Sequence, residues 1–315
     1  LFLNRKVFLC ASSTLYSIQN ESVSFMLRDF RIKLLPAIRI HSWGGFGSQL
    51  FALIIADRLS RRTKLRSIRI IFHTSGVTER KLEIPKNWLR KFEIEEIADF
   101  HQQLPLKKAV ARRGFFQVSR QRFKRFMQMI GITNSSNSEE EFKNIRPWII
   151  SVRGHYTQIR LTEDEIHGLM KYFELGMGGL RVNANAIHYR LGDLMKLDEK
   201  GIVSPARVLN IWKNHMRDGL PLQIFSDGNR TEFEKVWKSV EGPTNFEFHM
   251  LSPIRTIQSC CRVEQFIGTN AKLSLWIAIF RFATKSGPTF IPVEIQHQLR
   301  TLLDLQGTEN SIYVY

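Results

Sequence analysis

The second half of the chain alternates between short apolar runs and longer stretches of helical period, and this alternation constrains the fold more than any other feature. A buried run over 185–189 is followed by "PLQIFSDG" (221–228, strand and exit loop), "TEFEKVWKSV" (helix), "NFEFHM" (strand), "PIRTIQSCC" (helix), "VEQFIGT" (strand), "AKLSLWIAIFRFA" (helix) and "PTFIPV", read as the last strand. Strands that alternate with helices pair in parallel, because each parallel connection needs a crossover, and the crossover helices then cover both faces of the sheet. An α/β fold is expected, with ligands at the carboxyl ends of the strands.

The first half holds one clear unit of the same kind. "AIRIH" (37–41) reads as a strand, "GGFGS" as a tight glycine loop, "QLFALIIADRLSRR" as an apolar-rich helix and "SIRIIFH" (67–73) as a second strand. The stretch from about 80 to 165 is less regular, and "TNSSNSEEEF" (133–142) reads as a polar loop ending in an acidic helix start. The composition changes between about 165 and 182, around "ELGMGGLR", which divides the chain into an amino-terminal part, 1–170, and a carboxyl-terminal part, 171–315.

Three polar clusters follow strands in equivalent positions: His188 to Asp193, Ser226 to Gly228, and Gly268 to Asn270. On one rim they form one site. Arg190 carries a permanent charge on a planar fork that suits a pair of phosphate oxygens. His188 can donate to a phosphate or a base edge, and Asp227 can accept the paired N–H groups of a guanine. Asn270, Lys272 and Ser274 open a helix, whose free N–H groups and positive dipole end favour an anion. A nucleotide diphosphate is the expected ligand. Each residue also has a plain structural role. His188 fits a bonded core histidine, Asp193 a turn cap, and Trp276 with Phe280 ordinary packing. The functional reading comes from their joint placement.

The 315 residues, 43% of them hydrophobic, are enough for packed cores, and no run of 18 apolar residues could cross a membrane. The amino-terminal "LFLNRKVFLCASSTLYSIQ" has no cleavage-site pattern, so no signal peptide is expected. Cys10, Cys260 and Cys261 form neither a disulfide framework nor a zinc spacing, which favours a reducing cytoplasm. The net charge is +17, and its densest source is 107–125, eight cations and no acid interleaved with Phe115, Phe116 and Phe123. That pattern suits either a solvated face or peripheral contact with an anionic membrane, whereas no nucleic-acid-binding signature accompanies it.

"HYRLGD" (188–193) resembles the His-x-Arg-x-Gly-Asp motif of the α-1,2-fucosyltransferases, within the wider fucosyltransferase superfamily. "GGFGSQLFALIIADRLS" is similar to that family's amino-terminal Gly-Gly-x-Gly-Asn-Gln-x-Phe segment, and "QIFSDG" and "CCRVEQFIGTNAKLSLWIAIF" to its second and third donor-site motifs. The resemblance covers about a third of the chain. It implies a GT-B-like fold of two Rossmann-like domains facing across a cleft, and inverting transfer of fucose from GDP-fucose to a glycan hydroxyl without a metal. Arg190 would hold the β-phosphate and ease departure of GDP, His188 and Asp227 would hold the nucleotide with Ser226, and the segment Gly268, Thr269, Asn270, Lys272 and Ser274 would line the phosphates. Gly44, Gly45, Gly47, Ser48 and Gln49 would face them across the cleft. The sequence departs from the family in three places. Leu191 stands for a second arginine, Ser48 for an asparagine, and Leu273 to Trp276 for a Ser-Phe-Ser-Trp-Trp pattern.

No Asp-x-Asp pair occurs to bridge a metal to a diphosphate, so arginine would act as the charge clamp, with no cofactor and no metal. Asp193, Asp198 and Glu199 are candidates for the general base, and Asp193 of the first motif is expected to be catalytic beside Arg190. The expected partners are a nucleotide sugar and a glycan acceptor, which a lipid could carry at the inner face of a membrane. Two readings compete with this one: a catalytically silent basic protein that binds polysaccharide or nucleic acid, and a transferase using another nucleotide sugar.

Overall fold

The computed structural model describes residues 36–63, 66–74, 81–97, 123, 126–135, 138–146, 148–176, 181–192, 202–238, 240, 245–303 and 311–315. Asp193, Asp198, Glu199, Cys10 and, apart from Phe123, the basic stretch 107–125 lie outside them. The first half builds β1 (Ile38–Trp43), α1 (Phe46–Arg62), β2 (Ile68–His73), β3 (Glu93–Ile97), β4 (Thr133–Ser135), α2 (Glu139–Lys143), β5 (Ser151–Arg153) and α3 (Glu163–Tyr172). Its five strands pair in parallel in the order β3-β2-β1-β5-β4. Order reverses at β1, so the switch point of this sheet lies between β1 and β5.

The first half is therefore as regular as the second, contrary to the sequence reading. β3, "EIEEI", has no apolar alternation of its own. It pairs with β2, and its Glu93 and Glu95 both meet Arg69 there. The acidic stretch after 133 resolves into strand β4 and helix α2, whose start is fixed by a reciprocal cap between Ser138 and Glu141. Thr162 and Glu165 cap α3 in the same way. Arg58 of α1 bonds Glu139 of α2 at 2.8 Å and Glu165 of α3 at 2.6 Å, tying three helices together.

The second half builds β6 (Val182–His188), α4 (Pro205–His215), β7 (Leu222–Phe225), α5 (Arg230–Trp237), β8 (Glu247–His249), α6 (Pro253–Arg262), β9 (Val263–Gly268), α7 (Lys272–Thr284), β10 (Thr289–Ile291), α8 (Val293–Leu303) and β11 (Ile312–Val314). All six strands are parallel, in the order β11-β10-β9-β6-β7-β8, which is the doubly wound order with its switch point between β6 and β9. "PTFIPV" supplies β10 but is not the last strand, because α8 follows it and returns the chain to pair β11 beside it.

One hydrophobic core runs unbroken from the first sheet through α1 and α7 into the second. A separate core fills the other face of the second sheet, under α4 and α5. At the seam between the halves, Phe51 of α1 lies 4.7 Å from Trp276 of α7, ring to ring, and the Trp276 indole N–H donates to the Gly47 carbonyl at 2.8 Å. A Cβ on Gly47 would fall 2.8 Å from Lys272 Cβ and 3.0 Å from its carbonyl carbon, so this position has room only for glycine. Helix α1 begins at Phe46, which corrects the glycine-loop reading. Gly47, Ser48 and Gln49 belong to its first turn, and only Gly44, with φ of 97°, needs a glycine's backbone freedom in the turn before it.

Candidate functional site

The two switch points face one another across a cleft of about 640 Å³. Its first-half wall includes Trp43, Gly44, Gly45, Phe46, Gly47 and Ser48, with Glu83 and His155. The opposite wall brings together His188, Arg190, Gly192, Asp227 and the first turn of α7 at Ala271, Lys272 and Leu273.

His188 ends β6 and is buried. Its Nδ1 lies 2.7 Å from Ser274 Oγ, which also accepts the Thr269 N–H at 3.0 Å. The serine hydroxyl keeps one hydrogen to give. Giving it to Nδ1 leaves the ring neutral with its proton on Nε2. Burial drives the ring toward that neutral form, down to about 4, with Asp227 opposing and Arg190 adding to the fall. Thr269 Oγ1 accepts the Arg190 N–H at 3.1 Å and donates to the His188 carbonyl at 3.0 Å, so β9's exit fixes the backbone that carries both residues.

Lys272, the first residue of α7, is largely withdrawn from water. Burial first, then the neighbouring Arg190 charge, lowers its ammonium to about 8. Its Nζ donates across the cleft to Ser48 Oγ at 2.8 Å. Helix α7 begins at Lys272, and its N-cap residue, Ala271, supplies no side-chain cap to the first N–H groups. This wall thus gathers two cations at a helix start, with Asp227 beside them and Glu83 on the wall opposite.

Several sequence-selected residues stand behind the cleft instead of lining it. Ser226 accepts the Gly228 N–H at 3.1 Å, and Thr269 and Ser274 brace His188. Gly268 packs so closely on Ser274 that a Cβ would come within 2.9 Å of it. Asn270 sits half-buried in the turn. Gln49 is buried and stitches the 81–84 strap to α1, its Oε1 accepting from Glu83 and Ile84 N–H at 3.0 and 3.2 Å and its Nε2 donating to the Lys81 carbonyl at 2.8 Å. Asp227 does reach the cleft, but its Oδ1 accepts the Leu191 N–H at 2.7 Å, tethering one strand-exit loop to the next. Gly192 makes this possible, since a Cβ there would lie 2.5 Å from Asp227 Oδ2.

Sequence reasoning missed Trp43, Glu83, His155 and Pro253. Trp43 was legible as the end of β1, and its ring stacks on His73 at 4.4 Å and 9°. Glu83 and His155 come from loops with no local motif, and Pro253 is the first residue of α6. Glu83 meets α1 directly, its Oε2 accepting the Phe46 N–H at 2.5 Å. Among the described residues there is no group of three or more His, Cys, Asp and Glu that could hold a metal, and no helix long and apolar enough to cross a membrane.

No family model and no curated protein matches the chain. Among solved structures it is similar to NodZ alpha-1,6-fucosyltransferase soaked with GDP-fucose, at 12% identity over 78% of this chain and 92% of that one, with a TM-score of 0.34. It is also similar to E. coli heptosyltransferase WaaC with ADP-2-deoxy-2-fluoro heptose, at 10% identity, 89% and 92% coverage and a TM-score of 0.41. For E. coli ADP-heptose lps heptosyltransferase II the values are 9%, 89% and 90%, and 0.41. At these scores the strand orders themselves define the fold. Two parallel doubly wound units that face each other across a cleft make it α/β and GT-B-like.

Proposed function

We propose that the chain is a glycosyltransferase that binds a nucleotide-diphosphate sugar against Arg190, Lys272 and the start of α7, and passes the sugar to a glycan hydroxyl presented from the other wall. One observation carries this reading: two cations are held against each other's charge at a helix start that has no side-chain cap. Keeping like charges together costs free energy that a bound diphosphate recovers. Arg190 then stabilises the charge that develops as the nucleotide leaves, and neutral His188 offers an N–H to the ligand.

GDP-fucose is the proposed donor, from the motif resemblance, and transfer is proposed to invert the anomeric carbon without a metal, Arg190 and Lys272 serving as the charge clamp. Asp227 remains the proposed guanine acceptor, with one oxygen already tied to Leu191. Asp227→Ala is therefore expected to loosen both strand-exit loops and weaken every nucleotide, not merely to erase a base preference. Phe126, Met129 and Trp148 are exposed apolar side chains, and with the basic sequence 107–125 they support an acceptor carried on an anionic membrane. Vesicle binding that weakens with salt would check that placement.

Calorimetry with GDP, UDP and dTDP, with and without chelator, followed by turnover of the matching sugar nucleotides, tests the function. GDP is expected to bind best, equally well in chelator, with release of GDP from GDP-fucose and an inverted product. Metal-dependent binding or a UDP preference would overturn the donor assignment. Binding with no turnover of any sugar nucleotide would favour the silent binding protein.

A further inference from the structure

Transfer to a hydroxyl releases a proton, which a group on the cleft must accept. We infer that His155 takes that proton. The inference rests on the glycosyl-transfer reading above. His155 lies two residues beyond β5, at the switch point of the first sheet, exposed on the cleft wall that faces the cations.

The chain is held firmly there. Tyr156, the next residue, has a left-handed backbone with φ of 54°, a conformation that is strained for a residue with a side chain. Its ring is buried, and its hydroxyl is directed at the His41 carbonyl at 2.8 Å and the Val152 carbonyl at 3.1 Å, which locks the strained turn to β1 and β5. A rigid sheet end thus fixes the backbone from which the imidazole projects.

Other titratable groups line the same cleft. Glu83, from the 81–84 strap, accepts the Phe46 N–H at the start of α1. Asp227 holds the Leu191 N–H, and His188 is buried against Ser274. Lys272 and Arg190 are cations, and Arg153, on His155's own strand end, is another. Burial and the charge of Lys272 push His155 below its ordinary 6.5, so the ring is unprotonated at neutral pH and has a lone pair to offer. A diphosphate seated on Lys272 cancels that repulsion, and donor binding therefore strengthens the base.

In the step, the acceptor O–H bond breaks and its proton goes to an imidazole nitrogen. The oxygen forms its bond to the anomeric carbon as the bond from that carbon to the phosphate oxygen breaks, and the electron pair leaves with the nucleotide.

The test uses GDP-fucose, or whichever sugar nucleotide the protein turns over, with water and with azide as nucleophiles. Azide carries no proton and needs no base. His155→Ala and His155→Gln are expected to lose about 10²-fold in hydrolysis while keeping azide reaction near the wild-type rate. The acid limb of kcat/KM against pH, set below 6.5 by the free protein's imidazole, is expected to vanish. Tyr156→Phe is expected to weaken hydrolysis in the same direction by less. Variants that keep hydrolysis and its acid limb, or that lose the water and azide reactions equally, would overturn the role of His155 alone. A wild-type protein that turns over no sugar nucleotide would overturn the transfer reading as well.

Discussion

Helices α1 and α7 begin at the same cleft, each just past the central strand of its own sheet, and neither has a side-chain cap from its own N-cap residue, Gly45 or Ala271. They nevertheless end up with opposite characters. The first N–H of α1 is taken by the Glu83 carboxylate, so the protein's own anion answers that helix dipole. The first residue of α7 is itself a cation, Lys272, with Arg190 beside it. A helix start is therefore not a phosphate site by virtue of its backbone. The side chains brought to it from elsewhere decide whether it repels or gathers an anion. The glycine-rich "GGFGSQ" has the more phosphate-like sequence, yet it lies on the wall already supplied with a carboxylate.

The contrast can be broken most severely at Arg190. Arg190→Ala is expected to lower turnover about 10²-fold or more with the fold intact, and Arg190→Lys to recover little, since a point charge does not replace the fork. Steady-state rates beside thermal unfolding curves check both.

Lys272 sharpens the comparison through pH. Its protonated form binds anions, so GDP affinity is expected to fall as pH rises through about 8, and Lys272→Arg is expected to carry that fall to higher pH. Stability of the unliganded protein runs the other way. The folded-state pKa is depressed below the unfolded 10.5, so between 8 and 10.5 the unfolded chain binds more protons, and this residue's destabilising effect fades as pH rises through that window. Titration calorimetry and denaturant unfolding over pH 7–11 measure the two trends.

The smallest effect lies on the α1 wall. Glu83→Gln keeps an acceptor near Phe46 but removes its charge, at an expected cost of about 0.5–1 kcal/mol in stability, with GDP affinity changed by less than about twofold. A large gain in GDP affinity would mean that the two helix starts are less separate than their contacts indicate.

How far this arrangement could be read from sequence depended on whether a feature is local. Strands β6, β7 and β9 are short apolar runs with turn residues at their exits, and the rim residues His188, Arg190, Asp227 and Lys272 came with them. Strand β3 was hidden because its residues are mostly acidic and rely on Arg69 of a neighbouring strand. Strand β11 spans three residues, two of them exposed, too few to show a period. Glu83 and His155 reach the cleft only because the whole first sheet forms, and no motif around either residue signals that. Gln49 fell within a motif, yet it serves to pin the strap that delivers Glu83.

The contact at Gly47 also limits how the cleft can move. The two halves meet there backbone against helix, with a shared core behind and the Trp276 indole bonded across. Pulling the halves straight apart would strip apolar surface from Phe51 and Trp276, whereas a small rotation about the seam leaves that surface covered. The seam is the fulcrum of a lever: the floor of the cleft stays nearly still while the rim farthest from Gly47 travels most. A rotation of that kind would widen the cleft on the side away from Gly47 and leave the opposite side closed.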